Sequence, residues 1–325
     1  MSNRAVVRAE GAILDEILSA TYDIWHEGLS RTAYARYYAA QKATAWGRVH
    51  LDRLALVEND AVLASLKVYR FDATLDARPV RVAGLGAVFT QPAHRRRGAA
   101  RELIDRVLER AAGDGADVAL LFSEIGAEYY ARLGFTAIET HEVALRVTEP
   151  ARRGAPMTMV RGGDDRDLDD LVAMGKTRAA PYRFSLDRGR DLIQHAIVRR
   201  RLLAGLSPIG AREVRFYIAE EGASAAAYVL VRVRGAEWTL EECGDRDPTG
   251  ARVGALLQVL LAREPAERRP EIMAWLPPGF LPPQLTVIDR QPSKDVMMCR
   301  PLSPNGAPAT ALGEADVMYW KSDMF

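Results

Sequence analysis

Val88-Phe89-Thr90-Gln91-Pro92-Ala93-His94-Arg95-Arg96-Arg97-Gly98-Ala99-Ala100 decides how this chain is read. The stretch closes an apolar strand candidate, Val80 to Thr90, punctuated by Gly84 and Gly86. It opens an amphipathic helix, Ala99 to Ala112, in which Leu103, Ile104, Val107, Leu108 and Ala111 recur at helical spacing. Between the two, Arg95, Gly98 and Ala100 fit the pattern R-x-x-G-x-G/A. The first turn of a helix leaves backbone N–H groups without partners, and the helix dipole is positive there, so the turn suits a pyrophosphate. Gly98 has no Cβ and lets the backbone approach closely. Ala99 and Ala100 keep the next positions small, and Arg96, Arg97 and Arg101 add positive charge. Arg95, Arg96 and Arg97 could instead form a nucleic-acid patch, but a net charge of +1 over the whole chain speaks against that use.

The elements around this turn read as β-α-α-β-β-β-α-β-α, a mixed α/β domain. Ala5 to Ala9 is a short strand, Ile13, Leu14, Ile17 and Leu18 mark a helix, and a second helix runs from about Thr32 to Ala45. Leu54 to Val57 and Ala61 to Tyr69 flank Asn59-Asp60, a hairpin signal. One strand beyond the turn, Val118 to Phe122, comes a second informative stretch: Leu121-Phe122-Ser123-Glu124-Ile125-Gly126-Ala127-Glu128-Tyr129-Tyr130-Ala131-Arg132-Leu133-Gly134-Phe135.

That stretch resembles the FYxRLGF segment of GNAT acetyltransferases, and the turn before it resembles their acetyl-CoA pyrophosphate loop, in the right order and at a suitable separation. Pro92 to Gly98 and Ser123-Glu124 to Gly134-Phe135 are also similar to the enhanced-intracellular-survival (Eis) acetyltransferases. Trp25-His26-Glu27-Gly28-Leu29 and Ala87-Val88-Phe89 look somewhat like fungal lysine N-acetyltransferases. The resemblance covers the first 145 or so residues well. It implies a GNAT fold and acetyl-CoA as acyl donor. It also implies tandem architecture, with a second, degenerate GNAT-like domain. Too few residues remain after Pro283 for the sterol-carrier-like domain of the Eis pattern, so its assembly and substrate do not carry over.

The resemblance also assigns roles. Val88, Phe89 and Thr90 would run beside the pantetheine arm, with Ser123 and Glu124 at the end of the next strand. Tyr130 would be the acid that meets the departing thiolate, a phenol of pKa ~10 serving a thiol of ~8.5, while Tyr129 would pack. In the Eis-like proteins the C-terminal carboxylate acts as base, and this chain ends Tyr319-Trp320-Lys321-Ser322-Asp323-Met324-Phe325. A free α-carboxylate near pKa ~3.3–3.7 needs desolvation or a water relay to play that part. Asp23, Trp25, Glu27 and Asp323 are candidates for the amine site, because carboxylates and an aromatic face suit a cation.

Pro150 to Pro156 reads as a linker, after which strand and helix signals begin again: Met157 to Val160, Asp164 to Met174, a meander over Val214 to Ala219, Ala225 to Val233 and Glu237 to Cys243, then Gly250 to Ala262 and Glu271 to Trp275. The expected domains are 1–149, catalytic; 157–283, degenerate; and 284–325, an irregular tail returning to the active site. At the turn matching Gly98 the second domain carries Asp245 and Asp247, which would repel a pyrophosphate and read better as a helix cap than as a metal site. His26, His50, His94, His141 and His195 have no metal-binding company, and Cys243 and Cys299 are expected as buried free thiols. Composition, with 48% hydrophobic and 27% charged residues, no leader and no apolar run of about 20, points to a cytoplasmic protein without nucleic-acid or membrane partners. The expected activity is acetyl transfer to a primary amine of a small molecule. Transfer to a protein lysine or N-terminus and a non-catalytic acyl-CoA sensor are the alternatives, and homo-oligomerisation stays open.

Overall fold

The computed structural model describes residues 4–148, 159–265 and 269–325. The chain divides into two compact units. One takes the residues up to 139, then 294–313 and Phe325; the other takes 140–293 and 314–324. The expected linker, residues 150–156, and the start of the strand expected at Met157 lie outside the described residues.

The sheet of the first unit runs, neighbour to neighbour, through Arg4–Arg8, Leu51–Glu58, Ala61–Leu75, Arg78–Thr90, Val118–Ser123, Val296–Pro301 and Thr136–Ile138. Asn59 and Asp60, both with positive φ (48° and 64°), make the tight turn between its second and third strands, as two-residue hairpins require. Arg78–Thr90 and Val118–Ser123 are parallel, so a crossover must join them. That crossover is the helix Ala99–Gly113. Its Leu103, Ile104, Val107 and Leu108 pack on Leu56, Leu66, Leu85, Leu121 and Met298. Each such fully buried side chain contributes about 1.5–3 kcal/mol. On the other face the helix Gly11–Trp25 sets Ile17 against Ala55 and Val62. Ser30 caps the following helix, Arg31–Ala43, by accepting from the Ala33 N–H.

The expectation of an irregular tail is corrected here. Leu285–Pro292 and Val296–Pro301 are strands, and the second pairs antiparallel with Val118–Ser123. Val296-Met297-Met298-Cys299 is an unbroken apolar run, with Met297, Met298 and Cys299 at most 1% exposed. A strand buried on both faces shows no period-2 alternation, and for that reason the sequence pattern did not announce it.

In the second unit the order is Leu285–Pro292, His141–Val147, Ile272–Ala274, Glu237–Asp245, Ser224–Arg234, Glu213–Glu221 and Met159–Gly162. The meander and the helix Ala251–Leu261 match the sequence reading within a few residues. That reading passed over the helix Arg190–Leu206. There too, Glu237–Asp245 and Ile272–Ala274 are parallel and joined by a crossover helix. The two units therefore repeat one mixed α/β plan, a tandem arrangement. In each, an antiparallel strand from a distant part of the chain borders the parallel pair: Val296–Pro301 in the first and His141–Val147 in the second.

The start of helix Ala251–Leu261 is blocked from within. Gly250 (φ +74°) precedes it, and the Asp245 carboxylate accepts from the N–H groups of Asp247 and Arg252 at 2.8 Å. A carboxylate already occupies the donors that a phosphate would need. Cys243 and Cys299 are both free and buried, with burial raising each thiol's pKa.

Candidate functional site

In the first unit the turn at Gly98 has the expected geometry. After Pro92–His94, a short 3-10 turn, Arg96 (φ +60°) and Gly98 (φ +80°) both take the left-handed conformation, and the helix starts at Ala99. A Cβ on Gly98 would meet nothing within 4 Å, so the position is open space above the first helical turn. A cleft of about 480 Å³ lies there. It is lined by Val88 and Thr90 from the strand, Arg95, Arg96, Gly98, Ala99, Ala100 and Arg101 from the turn, and Tyr129 and Tyr130 from beyond the next strand. A larger cavity of about 530 Å³, bordered by Asp52, Arg70 and Arg81, contains none of the residues assigned a catalytic or binding role from sequence.

The strand geometry explains why the cleft exists. Ser65 pairs with Phe89 and Lys67 with Gly86, which leaves one extra residue on the second strand: a β-bulge with Ala87 at φ +48°. Pairing between Arg78–Thr90 and Val118–Ser123 runs from Val82–Val118 only as far as Leu85–Leu121, although both strands continue. Beyond that point residues 86–90 have no ladder partner on Val118–Ser123, and Val88 and Thr90 border the cleft, so an extended amide-bearing chain can add there as a strand would.

Tyr130, 8% exposed, stands edge-on to Tyr129 and Phe135. Burial, then Tyr129 and Glu124, push its phenol up to about 12. Tyr129 is the more open of the pair and borders the cleft as well, so the split into one packing and one functional tyrosine is less sharp than the sequence suggested. Glu124, at the end of its strand, accepts from the Trp25 indole. Its carboxyl is raised by partial desolvation first, then by Asp295 and Glu27. The structure thus brings Trp25, Glu27 and Glu124 together. It adds Asp295, which no motif marked because it arrives with the strand Val296–Pro301.

The terminal residue belongs to the first unit. The Phe325 ring lies 4.6 Å from that of Tyr69, 5.3 Å from Phe71 and 5.5 Å from Phe122. It covers Gly84, where a Cβ would come within 2.7 Å of it, and the Phe325 carboxyl lies 3.2 Å from where a Gly86 Cβ would be. A side chain at Gly84 would crowd the rings of Phe325 and Phe71, and one at Gly86 would press on the Phe325 carboxyl and the Tyr69 ring.

Other expected residues are placed elsewhere. Ser123 is 1% exposed and donates to the Gly126 carbonyl at 2.5 Å, so its hydroxyl holds a turn. Phe89 is buried, Arg97 is exposed outside the cleft lining, and Asp23 is exposed beside Arg31 at 3.7 Å. Asp323 is buried in the second unit, 2.9 Å from Arg188, with burial raising its carboxyl and Arg188 opposing that rise.

One consequence can be tested at the turn. Gly98→Asp adds a carboxylate where the helix start offers its free N–H groups, and forces an L-residue to φ +80°. The backbone strain costs only about 1–2 kcal/mol. If the turn holds an acyl-CoA pyrophosphate, as the resemblance implies, acetyl-CoA affinity measured by calorimetry is expected to fall about 100-fold or more through charge repulsion and lost approach, with a drop of only a few degrees in Tm.

Residues 15–138 match the acetyltransferase (GNAT) domain family. No curated protein matches the chain in sequence. Among solved structures, the chain is similar to a GCN5-related N-acetyltransferase from Kribbella flavida, at 20% identity and TM-score 0.69 over 95% of this chain and 72% of the other. It is similar to Eis1 from Mycobacterium abscessus at 17% identity and TM-score 0.57, over 94% and 76% of the two chains. N-myristoyltransferase from Saccharomyces cerevisiae with bound myristoyl-CoA aligns at 9% identity and TM-score 0.53, over 92% and 78%. At these identities the likeness is one of fold.

Proposed function

We propose, on the match of residues 15–138 to the acetyltransferase (GNAT) domain family, that this chain transfers an acetyl group from acetyl-CoA to a primary amine of a small molecule. The domain's chemistry is acyl transfer from an acyl-CoA. The finer reading rests on one observation: the turn at Gly98, the unpaired strand edge at Val88 to Thr90, and Tyr130 all border a single cleft. The pyrophosphate would lie on the N–H groups at Ala99 and Ala100, with Arg96 beside it, and the pantetheine arm along residues 86–90.

The amine attacks the thioester carbonyl directly. A protonated alkylamine of pKa near ~10.4 must first give up a proton. The candidate bases are the Phe325 carboxylate, which lies against Gly86, and Glu124, whose carboxyl is raised by partial burial first and then by Asp295 and Glu27. Trp25, Glu27, Glu124 and Asp295 form an anionic, aromatic-walled approach for a cation. Tyr130 stays protonated and donates a hydrogen bond to the sulfur, which leaves as thiolate as the C–S bond breaks. The Phe325, Tyr69, Phe71 and Phe122 rings fill the space beside Gly84, which supports a short acyl group over a long one. Among the described residues no helix is long and apolar enough to cross a membrane.

Calorimetric titration with acetyl-CoA, followed by thiol release over a panel of amines, tests this reading. One site per chain and amine-dependent thiol release are expected. Two sites would give the second unit a cofactor role, and no binding would end the acyltransferase reading.

A further inference from the structure

Arg53 is 2% exposed, and all three of its guanidinium nitrogens are buried without a hydrogen-bond partner. Ser65 is 0% exposed and its hydroxyl is equally orphaned. Buried polar groups are almost always paired, and a buried unpaired cation is the costliest exception. The two orphans are neighbours. Arg53 pairs in register with Lys67, Ser65 lies two residues before Lys67 on the same strand, and Lys67 pairs in turn with Gly86. With period-2 alternation, Arg53, Ser65 and Lys67 present their side chains on one sheet face. Tyr38 covers them, its ring centroid 5.6 Å from both the Arg53 guanidinium and the Lys67 ammonium. Every group in this row is a donor or a cation. The row ends at Gly86, against which the Phe325 carboxyl rests.

We propose that this row is the anion-binding half of the acceptor site, and that the acceptor is a zwitterionic ω-amino acid. Its carboxylate is held by Arg53 and Ser65, and its amine is presented at Gly86. The inference rests on the N-acetyltransferase reading above and narrows its substrate class. A guanidinium fork beside a hydroxyl matches the two oxygens of a carboxylate. The ammonium end meets the carboxylates of the opposite charge, Glu124, Glu27 and Asp295. Two strand spacings separate Arg53 from Gly86, about 10 Å between Cα atoms, and the reach of the arginine shortens the gap to a linker of roughly four to six carbons. The Tyr38 ring must swing aside for the carboxylate to enter, which makes it the cover of the site.

The test compares 5-aminopentanoate with pentylamine, which differ only in the carboxylate. Thiol release by the full chain is expected to give kcat/KM at least about 30-fold higher for 5-aminopentanoate. Arg53→Met should erase that advantage by raising KM for the amino acid while leaving pentylamine turnover unchanged. Arg110→Met, at an exposed position on the far end of its helix, should change neither. Removing an unpaired buried charge should leave Tm level or raise it. Equal use of both amines by the wild type, or an equal loss for both in Arg53→Met with a fall in Tm, would overturn the proposal and make Arg53 structural. Calorimetry with 5-acetamidopentanoate keeps the two readings apart. Its binding, lost in Arg53→Met, would sustain the anion site even if acetyl-CoA does not bind; absence of binding to the wild type would remove the anion site even if other amines are acetylated.

Discussion

Tyr130→Phe is expected to lower kcat by about 10²–10⁴-fold while leaving acetyl-CoA affinity within a factor of about two. The ring is what packs, against Tyr129 and Phe135, and phenylalanine keeps that packing. Only the hydroxyl is lost, from a residue that borders the cleft. The phenol's pKa of about 12 sets how it acts. Against a thiol of ordinary pKa near ~8.5, full proton transfer from such a phenol would be uphill by about 5 kcal/mol. The same desolvation raises any anion formed in the cleft, the departing thiolate included, and so narrows the gap. On the proposed mechanism Tyr130 would therefore act as a hydrogen-bond donor to developing negative charge, with its protonated form the useful one. Activity that depends on it is complete below about pH 12 and lost only as pH rises through that value. The pH profile of kcat should accordingly show a rising limb, from deprotonation of the base and the amine, and no falling limb below about 11. A falling limb near 9 or 10 that disappears in Tyr130→Phe would mean the phenol ionises far more easily than its burial implies. A kcat unchanged in the variant would remove Tyr130 from the chemistry and favour a binding protein.

The parts of the fold legible in the sequence were those whose physics is local. The turn at Gly98 announces itself because a left-handed residue before a helix wants glycine, and the hairpin at Asn59-Asp60 because two positive φ values want Asn or Asp. The amphipathic helix Ala99–Gly113 follows from one buried face. What stayed hidden depends on long-range pairing. Val296–Pro301 borders Val118–Ser123 in the sheet from more than 170 residues away and brings Asp295 beside Glu124. No window of sequence contains that neighbour. The Asp245 cap was legible because it is again local, a carboxylate two residues before one backbone donor and seven before another. Ser123 was placed near the cofactor by resemblance alone, and nothing in the sequence signalled that its hydroxyl closes the turn at Gly126. Arg53 gave no sequence signal at all, since an arginine on a strand next to Asp52 reads as a surface charge. Only its burial, without a partner, sets it apart.

Extending the chain by a single glycine beyond Phe325 is expected to reduce kcat about 100-fold with little change in acetyl-CoA affinity or Tm. The extension keeps every side chain and moves only the carboxylate, by about 3.5 Å, one residue's length. The Phe325 ring would keep its contacts with Tyr69, Phe71 and Phe122. The preceding residues have their own anchors in the second unit: Asp323 on Arg188, the Asp323 carbonyl on the Tyr319 hydroxyl at 2.9 Å, and the Met324 carbonyl on Arg199 at 2.8 Å. A terminus that merely docks has no need of its charge at Gly86, and an amide in its place should then be harmless. A terminus that accepts the amine's proton must present an anion there, and an amide carbonyl cannot take up a proton near neutral pH. Gly86→Ala provides the complementary test. Its Cβ would come within 3.2 Å of the Phe325 carboxyl and push the terminus away without altering its chemistry. If both changes depress kcat alike while Gly98→Asp acts on cofactor affinity alone, the carboxylate is the base. If the glycine extension leaves kcat intact, Glu124, with its raised pKa, is left as the base, and Glu124→Gln should then carry the loss instead.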